Sequence, residues 1–344
     1  MKESNASVIL KKDNKQYNGI DLMKFISALL VVMIHVAVLN PSMDQELSHK
    51  AQWINFGLNN TLCRIAVPFY FVCSGFFLFR KMPGNTVDVD RVKAYCYRIC
   101  RLLGLWSVVL FVGEQEHLWY LGATVVAVTL LSVLLYKGVR VKWLIALAGC
   151  LYLLGLLGES YFRIIKPYVT TGKVGYVYGI YRYLVTNPRN GFYMGFIFVL
   201  MGYLFARGNI KMNRWISLVA FLTSMICLVG EVFLLNYGRE RTACNMYISL
   251  LPAVFFLFAF LSSVSLKDRT IYGRLRIVGM LVYFIHMLVN ALFILGAKLC
   301  YGIIHVDIYS LRFPLVMAVT LGLAFGLERL SNKEAFKWIR GVLS

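Results

Sequence analysis

The chain has 344 residues, of which 59% are hydrophobic and only 15% charged, with a mean hydropathy of +0.68 and a formal net charge of +20. Such a balance excludes a water-soluble globule and a disordered polyelectrolyte, and it points to a membrane protein. Apolar runs of about 17 to 25 residues recur along the length, each long enough to cross a hydrocarbon core of roughly 30 Å.

Taken in chain order, the predicted spans cover 20–39, 57–79, 96–113, 118–136, 142–158, 191–206, 214–236, 245–265, 277–297 and 313–330. The expected fold is therefore all-α, a polytopic membrane protein with about ten transmembrane helices. A polar tail at 1–18 precedes the transmembrane domain at 19–330, and a short basic tail follows at 331–344. With the N-terminus in the cytoplasm, the segments assigned to the inner side hold 24 Lys and Arg and those assigned to the outer side 11, and the one left over, Lys24, lies inside the first span. That asymmetry is the positive-inside pattern and puts both termini in the cytoplasm. The basicity thus reports orientation and attraction to anionic lipid or phosphate, and no nucleic acid is called for.

The first span, "GIDLMKFISALLVVMIHV", carries three ionisable residues. Groups of this kind cost about 2.5–3.5 kcal/mol or more at the bilayer centre, so they normally face protein or a wet cavity. At 100° per residue, Lys24 and His35 point within about 20° of one another, and Asp21 lies about 60° to the same side. Asp21, Lys24 and His35 form one face with Ser27, Ala28 and Val31, and at 1.5 Å per residue His35 stands roughly 16 Å farther across the membrane than Lys24. Each also has a plainer reading: Lys24 snorkels to headgroups, Asp21 caps the helix or pairs with Lys24, and His35 is a satisfied core histidine.

The second span holds Arg64 about one turn before Pro68, where a kink is expected, and Ser74-Gly75, a pair better suited to close helix packing than to nucleophilic attack. The third opens "RVKAYCYRICRLLG", with Arg98 and Arg101 on one face at the cytoplasmic surface. Those arginines suit phosphates or simply follow the positive-inside rule. A tight turn, "GEQEH" at 113–117, joins it to the fourth span. Beyond the fifth span, the segment 159–190 faces outside and is rich in Tyr and bases, as a substrate platform or an interfacial belt would be. The eight cysteines fall mostly in or beside spans without a C-x-x-C pair, which reads as packing; neither disulfide frame nor metal site is expected.

Together these motifs resemble the acyltransferase-3 family of integral membrane proteins. The likeness rests on Asp21, Lys24 and His35; on Arg64, Val67-Pro68 and Ser74-Gly75; on the arginine-rich third span; and on "VYFIH" ending at His286. Within that family the stretches "IAVPFYFVCSGFFL", "HLWYL" and "RNGFYMGFIFVLMGYL" are most similar to the membrane half of membrane-bound serine racemases from glycopeptide-resistance clusters. The pyridoxal-phosphate racemase domain of those proteins has no counterpart in this sequence. Two departures stand out: Lys24 occupies a position where the family generally has Arg, and "GEQEH" is short.

The resemblance implies an O-acyltransferase that takes an acyl group, commonly acetyl, from cytoplasmic acyl-CoA and passes it to a hydroxyl of an envelope carbohydrate outside a bacterial-type cytoplasmic membrane. On that reading Lys24, Arg98 and Arg101 meet the phosphates of acyl-CoA, the donor substrate, with no metal or pyridoxal phosphate. His35 serves as general base or acyl carrier, Asp21 orients the neighbouring base and Arg64 stabilises the oxyanion. Glu116, His117 and Trp119 line the outer mouth, with Glu159, Arg189 and Asn190 as further substrate contacts. The alternative is an L-serine transport or binding module, with Asp21 or Glu159 for the ammonium and Arg64 or Arg189 for the carboxylate. It would work beside a separate racemase or envelope-synthesis protein.

Overall fold

The structure is a computed structural model describing residues 17–82, 86–110, 116–169, 172–184, 187–208, 210, 212–236 and 244–334, without the side chains of Glu116, Arg163, Lys173 and Leu184. Each predicted span falls on helix, because backbone polar groups in lipid must bond within their own segment. Helix α1 spans Asn18–Val36, α2 His49–Asn60 and α3 Ala66–Phe79, the last two joined through a 3-10 turn at Leu62–Ile65. Next come α4 (Val89–Val109), α5 (Trp119–Tyr136), α6 (Val141–Gly158) and the short α7 (Phe162–Val169) and α8 (Gly172–Leu184). A π-helical turn at Gly191–Gly195 opens α9 (Phe196–Ala206), and α10 (Arg214–Asn236), α11 (Leu250–Ser263), α12 (Thr270–Ile304) and α13 (Arg312–Leu330) follow. No strand occurs among the described residues.

Among the described residues seven helical segments are long and apolar enough to cross a membrane on length and composition alone, and Gly191–Ala206 and Leu250–Ser263 are shorter apolar ones. The tenth, α4, has the length but carries Asp90, Arg91, Lys93, Arg98 and Arg101 in its first two-thirds. The molecule is an all-α, multi-pass membrane protein.

Two glycines set the centre of the bundle. A Cβ on Gly75 would lie 2.2 Å from the Val199 carbonyl oxygen, and one on Gly202 would lie 2.1 Å from that of Val72. Only hydrogen at both positions lets α3 and α9 approach so closely, the small-residue contact that packs helices where lipid removes the hydrophobic drive. Helix α1 packs against α12, α3 and α13, which turns its polar stripe inward.

Several expectations are corrected. The break in the second span falls at the 3-10 turn Leu62–Ile65; Pro68 sits at the third position of α3, where its missing N–H would have no intrahelical partner anyway. Helix α1 ends at Val36, since Ala37 turns to a left-handed φ of 49°. Residues 270–276, expected as an inner loop, form the start of a 35-residue α12. The segment 159–190, expected as an outer loop, contains α7 and α8. All eight cysteines are free. Of the sequence features singled out, residues 1–16 and 335–344 of the two tails and 113–115 of the "GEQEH" turn lie outside the described residues.

Candidate functional site

A cavity of about 1320 Å³ opens at the end of the bundle where α1 and α12 begin. Seven Lys and Arg line it, against a single carboxylate, Glu328. Lys24, Arg98 and Arg101, which the sequence singles out for phosphates, are all in that lining, and so are Lys81, Arg91, Arg274 and Arg276. The Lys24 ammonium sits 3.4 Å from Asp21 and 3.9 Å from the Phe77 ring centroid, so it turns into the bundle rather than toward lipid. Asp21 also faces Arg276 at 4.0 Å. Arg274 reaches the buried Glu328 through Nε at 3.2 Å and Nη2 at 3.0 Å.

Deeper in, the lining becomes aromatic. Tyr70, Tyr120 and Tyr283 pack as a collar with ring centroids 5.8–6.4 Å apart. Tyr70 donates to the Lys24 carbonyl at 2.6 Å, the Tyr120 hydroxyl meets Ser74 Oγ at 3.1 Å, and Tyr283 donates to the His117 carbonyl. The last contact joins the cavity to what lies beyond it.

There three imidazoles meet. The ring centroids of His35, His117 and His286 are 5.1–6.1 Å apart, and His286 Nε2 lies 3.4 Å from His35 Nδ1. His286 is fully buried and His117 nearly so. Tautomers follow from the partners. His286 Nδ1 faces the carbonyls of Val282 and Tyr283 at 3.1 and 2.8 Å, and His35 Nδ1 faces that of Val31 at 2.9 Å. A carbonyl only accepts, so both Nδ1 atoms are the donors, and in a neutral ring that leaves the lone pair at Nε2. His35 thus presents Nε2 as its basic nitrogen.

Beside His35, at the end away from the basic cavity, lies a buried polar network. Arg64 donates through Nη1 to Asn245 Oδ1 at 2.7 Å and through Nη2 to Asn59 Oδ1 at 2.8 Å. Asn59 donates to the Ile34 carbonyl at 3.2 Å, one residue before His35. Asn245 donates through its amide and Nδ2 to Glu159 Oε1 at 2.9 and 2.7 Å, which makes Arg64–Asn245–Glu159 a bridged ion pair. Burial holds the Glu159 carboxyl above the usual carboxylate range, and the Asn245 hydrogen bonds and the Arg64 charge offset only part of that.

The other singled-out residues disperse. His117 lies inside the imidazole cluster and not at an outer mouth. The Arg189 guanidinium sits 5.4 Å from the Trp119 ring centroid. Asn190 Oδ1 accepts from the Phe192 and Tyr193 amides, so it caps the π-turn that starts α9. The side chain of Glu116 is outside the described residues.

Sequence reading gave no role to Lys81, Arg274, Arg276, the three collar tyrosines or Asn245. One signal was available: Arg276, Tyr283 and His286 follow at steps of seven and three, a single helical face that repeats the base-to-imidazole order of α1. Asn245 has no such signal, because its partners are more than 80 residues away in sequence.

Residues 17–329 match the acyltransferase domain family known as acyltransferase-3. Two amino-acid racemases of Enterococcus faecalis are 28% and 27% identical over 75% and 79% of this chain, and these matches cover 37% and 41% of their own lengths. A serine/alanine racemase of Enterococcus gallinarum is 28% identical over 70% of this chain and 36% of its own. The chain thus spans well under half the length of these relatives. No solved structure matches it.

Proposed function

The chain belongs to the acyltransferase-3 family of membrane proteins, and on that premise we propose that it moves a short acyl group, acetyl in the simplest case, from cytoplasmic acyl-CoA to a hydroxyl acceptor on the far side of a bacterial cytoplasmic membrane. The observation that carries the proposal is the order of groups along the bundle: a basic cavity, a tyrosine collar at its depth and, across the Tyr283–His117 contact, the three clustered histidines. An anionic nucleotide thioester suits that gradient: phosphates at the cationic rim, the thin pantetheine arm along the apolar depth. Lys24, Arg98 and Arg101 would hold phosphate oxygens. Lys24 supplies charge without the planar fork of an arginine.

In the reaction, His35 Nε2 takes the proton of the acceptor hydroxyl as its oxygen bonds to the acyl carbon. The C–S bond then breaks and the CoA thiolate leaves; the proton held by His35 is released and one proton is taken up by the thiolate, so that His35 is again a base and CoA ends as the thiol. Asp21 holds Lys24 in place. Both guanidinium ends of Arg64 are already engaged, so it acts through its field and by fixing the backbone beside His35. Turnover is measured in proteoliposomes as free-thiol release from acetyl-CoA. Release that His35→Ala abolishes supports the proposal; release unchanged by that substitution overturns it.

A second reading, an L-serine binding or transport module, draws on the racemase relatives and on the opposed charges of Arg64 and Glu159 at one end of the bundle. Serine flux without thiol release in the same vesicles would favour it.

A further inference from the structure

A second cavity, of about 410 Å³, lies at the opposite end of the bundle from the basic one, between the ends of α6 and α10 and the start of α7. Its floor holds two polar atoms with no hydrogen-bond partner, Glu159 Oε2 and Ser160 Oγ, and Ser160 is only 4% exposed. Orphaned acceptors of this sort cost about 1–3 kcal/mol each, so their presence side by side in a cavity marks a place built for hydrogen-bond donors. Phe162 and Tyr247 supply walls, and Lys166 and Arg182 are the cations of the lining. Arg182 is held there by its bond to the Gly158 carbonyl at 2.6 Å and by the Phe162 ring, 5.2 Å from the guanidinium. The volume is that of a small-molecule site.

Charge decides the ligand class. The Glu159 carboxylate is already balanced by Arg64 through Asn245, so the floor asks for neutral donors rather than an ammonium. Among the described residues Lys166 and Arg182 have no such counter-ion in the lining, so the described pocket favours an anion. We infer that this cavity is a binding site for an anionic polyol: hydroxyls on Glu159 Oε2 and Ser160 Oγ, with a phosphate or carboxylate at Lys166 and Arg182. The inference does not depend on acyl transfer, although such a molecule also bears acceptor hydroxyls.

The test is binding by the full chain in phosphatidylcholine nanodiscs, followed by thermal shift and calorimetry with glycerol 3-phosphate, glycerol, inorganic phosphate and glycine. Glycerol 3-phosphate is expected to bind at least tenfold more tightly than each of the other three. Ser160→Ala and Lys166→Gln are each expected to weaken it by about fivefold or more, Lys166→Gln leaving the unliganded melting temperature in place and Ser160→Ala, which removes an unsatisfied buried hydroxyl, leaving it level or raising it. Repeating the titration with phosphatidylglycerol in the disc separates sources: competition identifies a lipid headgroup, and its absence a soluble or polymer-borne ligand. Equal binding of inorganic phosphate, preference for glycine, indifference to both substitutions, or no binding would each overturn the inference. Loss of thiol release with intact glycerol 3-phosphate binding would count against the proposed acyl transfer alone.

Discussion

Replacing Arg64 with methionine tests the bridged ion pair most directly. The substitution keeps the buried stem and removes the guanidinium that holds Asn245 and Asn59 at 2.7 and 2.8 Å. It leaves the largely buried Glu159 carboxylate without its counter-charge, and breaking one side of such a pair costs about 3–5 kcal/mol. Glu159→Gln, which removes the anion and keeps an acceptor for Asn245, should cost less, about 1–3 kcal/mol. If the two charges are coupled through Asn245, the double variant falls short of the sum of the singles by about 1.5 kcal/mol or more. The assay is equilibrium unfolding in mixed micelles of the wild type, both singles and the double. Losses that add within about 0.5 kcal/mol would refute the coupling. The same variants separate stability from chemistry: a double variant that recovers stability but not thiol release assigns Arg64 an electrostatic part in turnover.

Gly75→Ala and Gly202→Ala each drive a methyl to about 2 Å from a carbonyl of the facing helix, and each should destabilise by roughly 1–3 kcal/mol. Gly149→Ala, in α6 with nothing within 4 Å, should be neutral or stabilise by about 0.5–1 kcal/mol in the same unfolding assay. Arg98→Gln with Arg101→Gln should raise the KM for acetyl-CoA about tenfold with little change in kcat, and should flatten its salt dependence, as expected of rim charges that bind but do not react. Asp307 accepts from the Met43 and Tyr309 amides, which holds its carboxyl below the usual range. Because the folded value is the lower one, the stabilisation is present above the ordinary carboxylate pKa and disappears as pH falls through the depressed value. The melting-temperature gap between wild type and Asp307→Asn should therefore be visible at pH 6 and close in strong acid.

The sequence by itself determined the membrane class, the positions of the spans and the inward stripe of α1. Hydropathy and helical period are local properties, and lipid forces every such run into a helix whatever its neighbours are. Lys24, Arg98 and Arg101 were legible as a cationic group because each begins a span near the basic end, and they line one cavity. His117 was legible only as a polar residue at a span boundary, and the bundle carries it inward to meet His35 and His286. The joining of three imidazoles from different segments, the tyrosine collar between α3, α5 and α12, and the bridge from Arg64 to Glu159 were decided only in the tertiary structure. Each depends on which helix faces which, and that is set by contacts such as Gly75 on Val199, whose two residues lie more than a hundred positions apart in the chain.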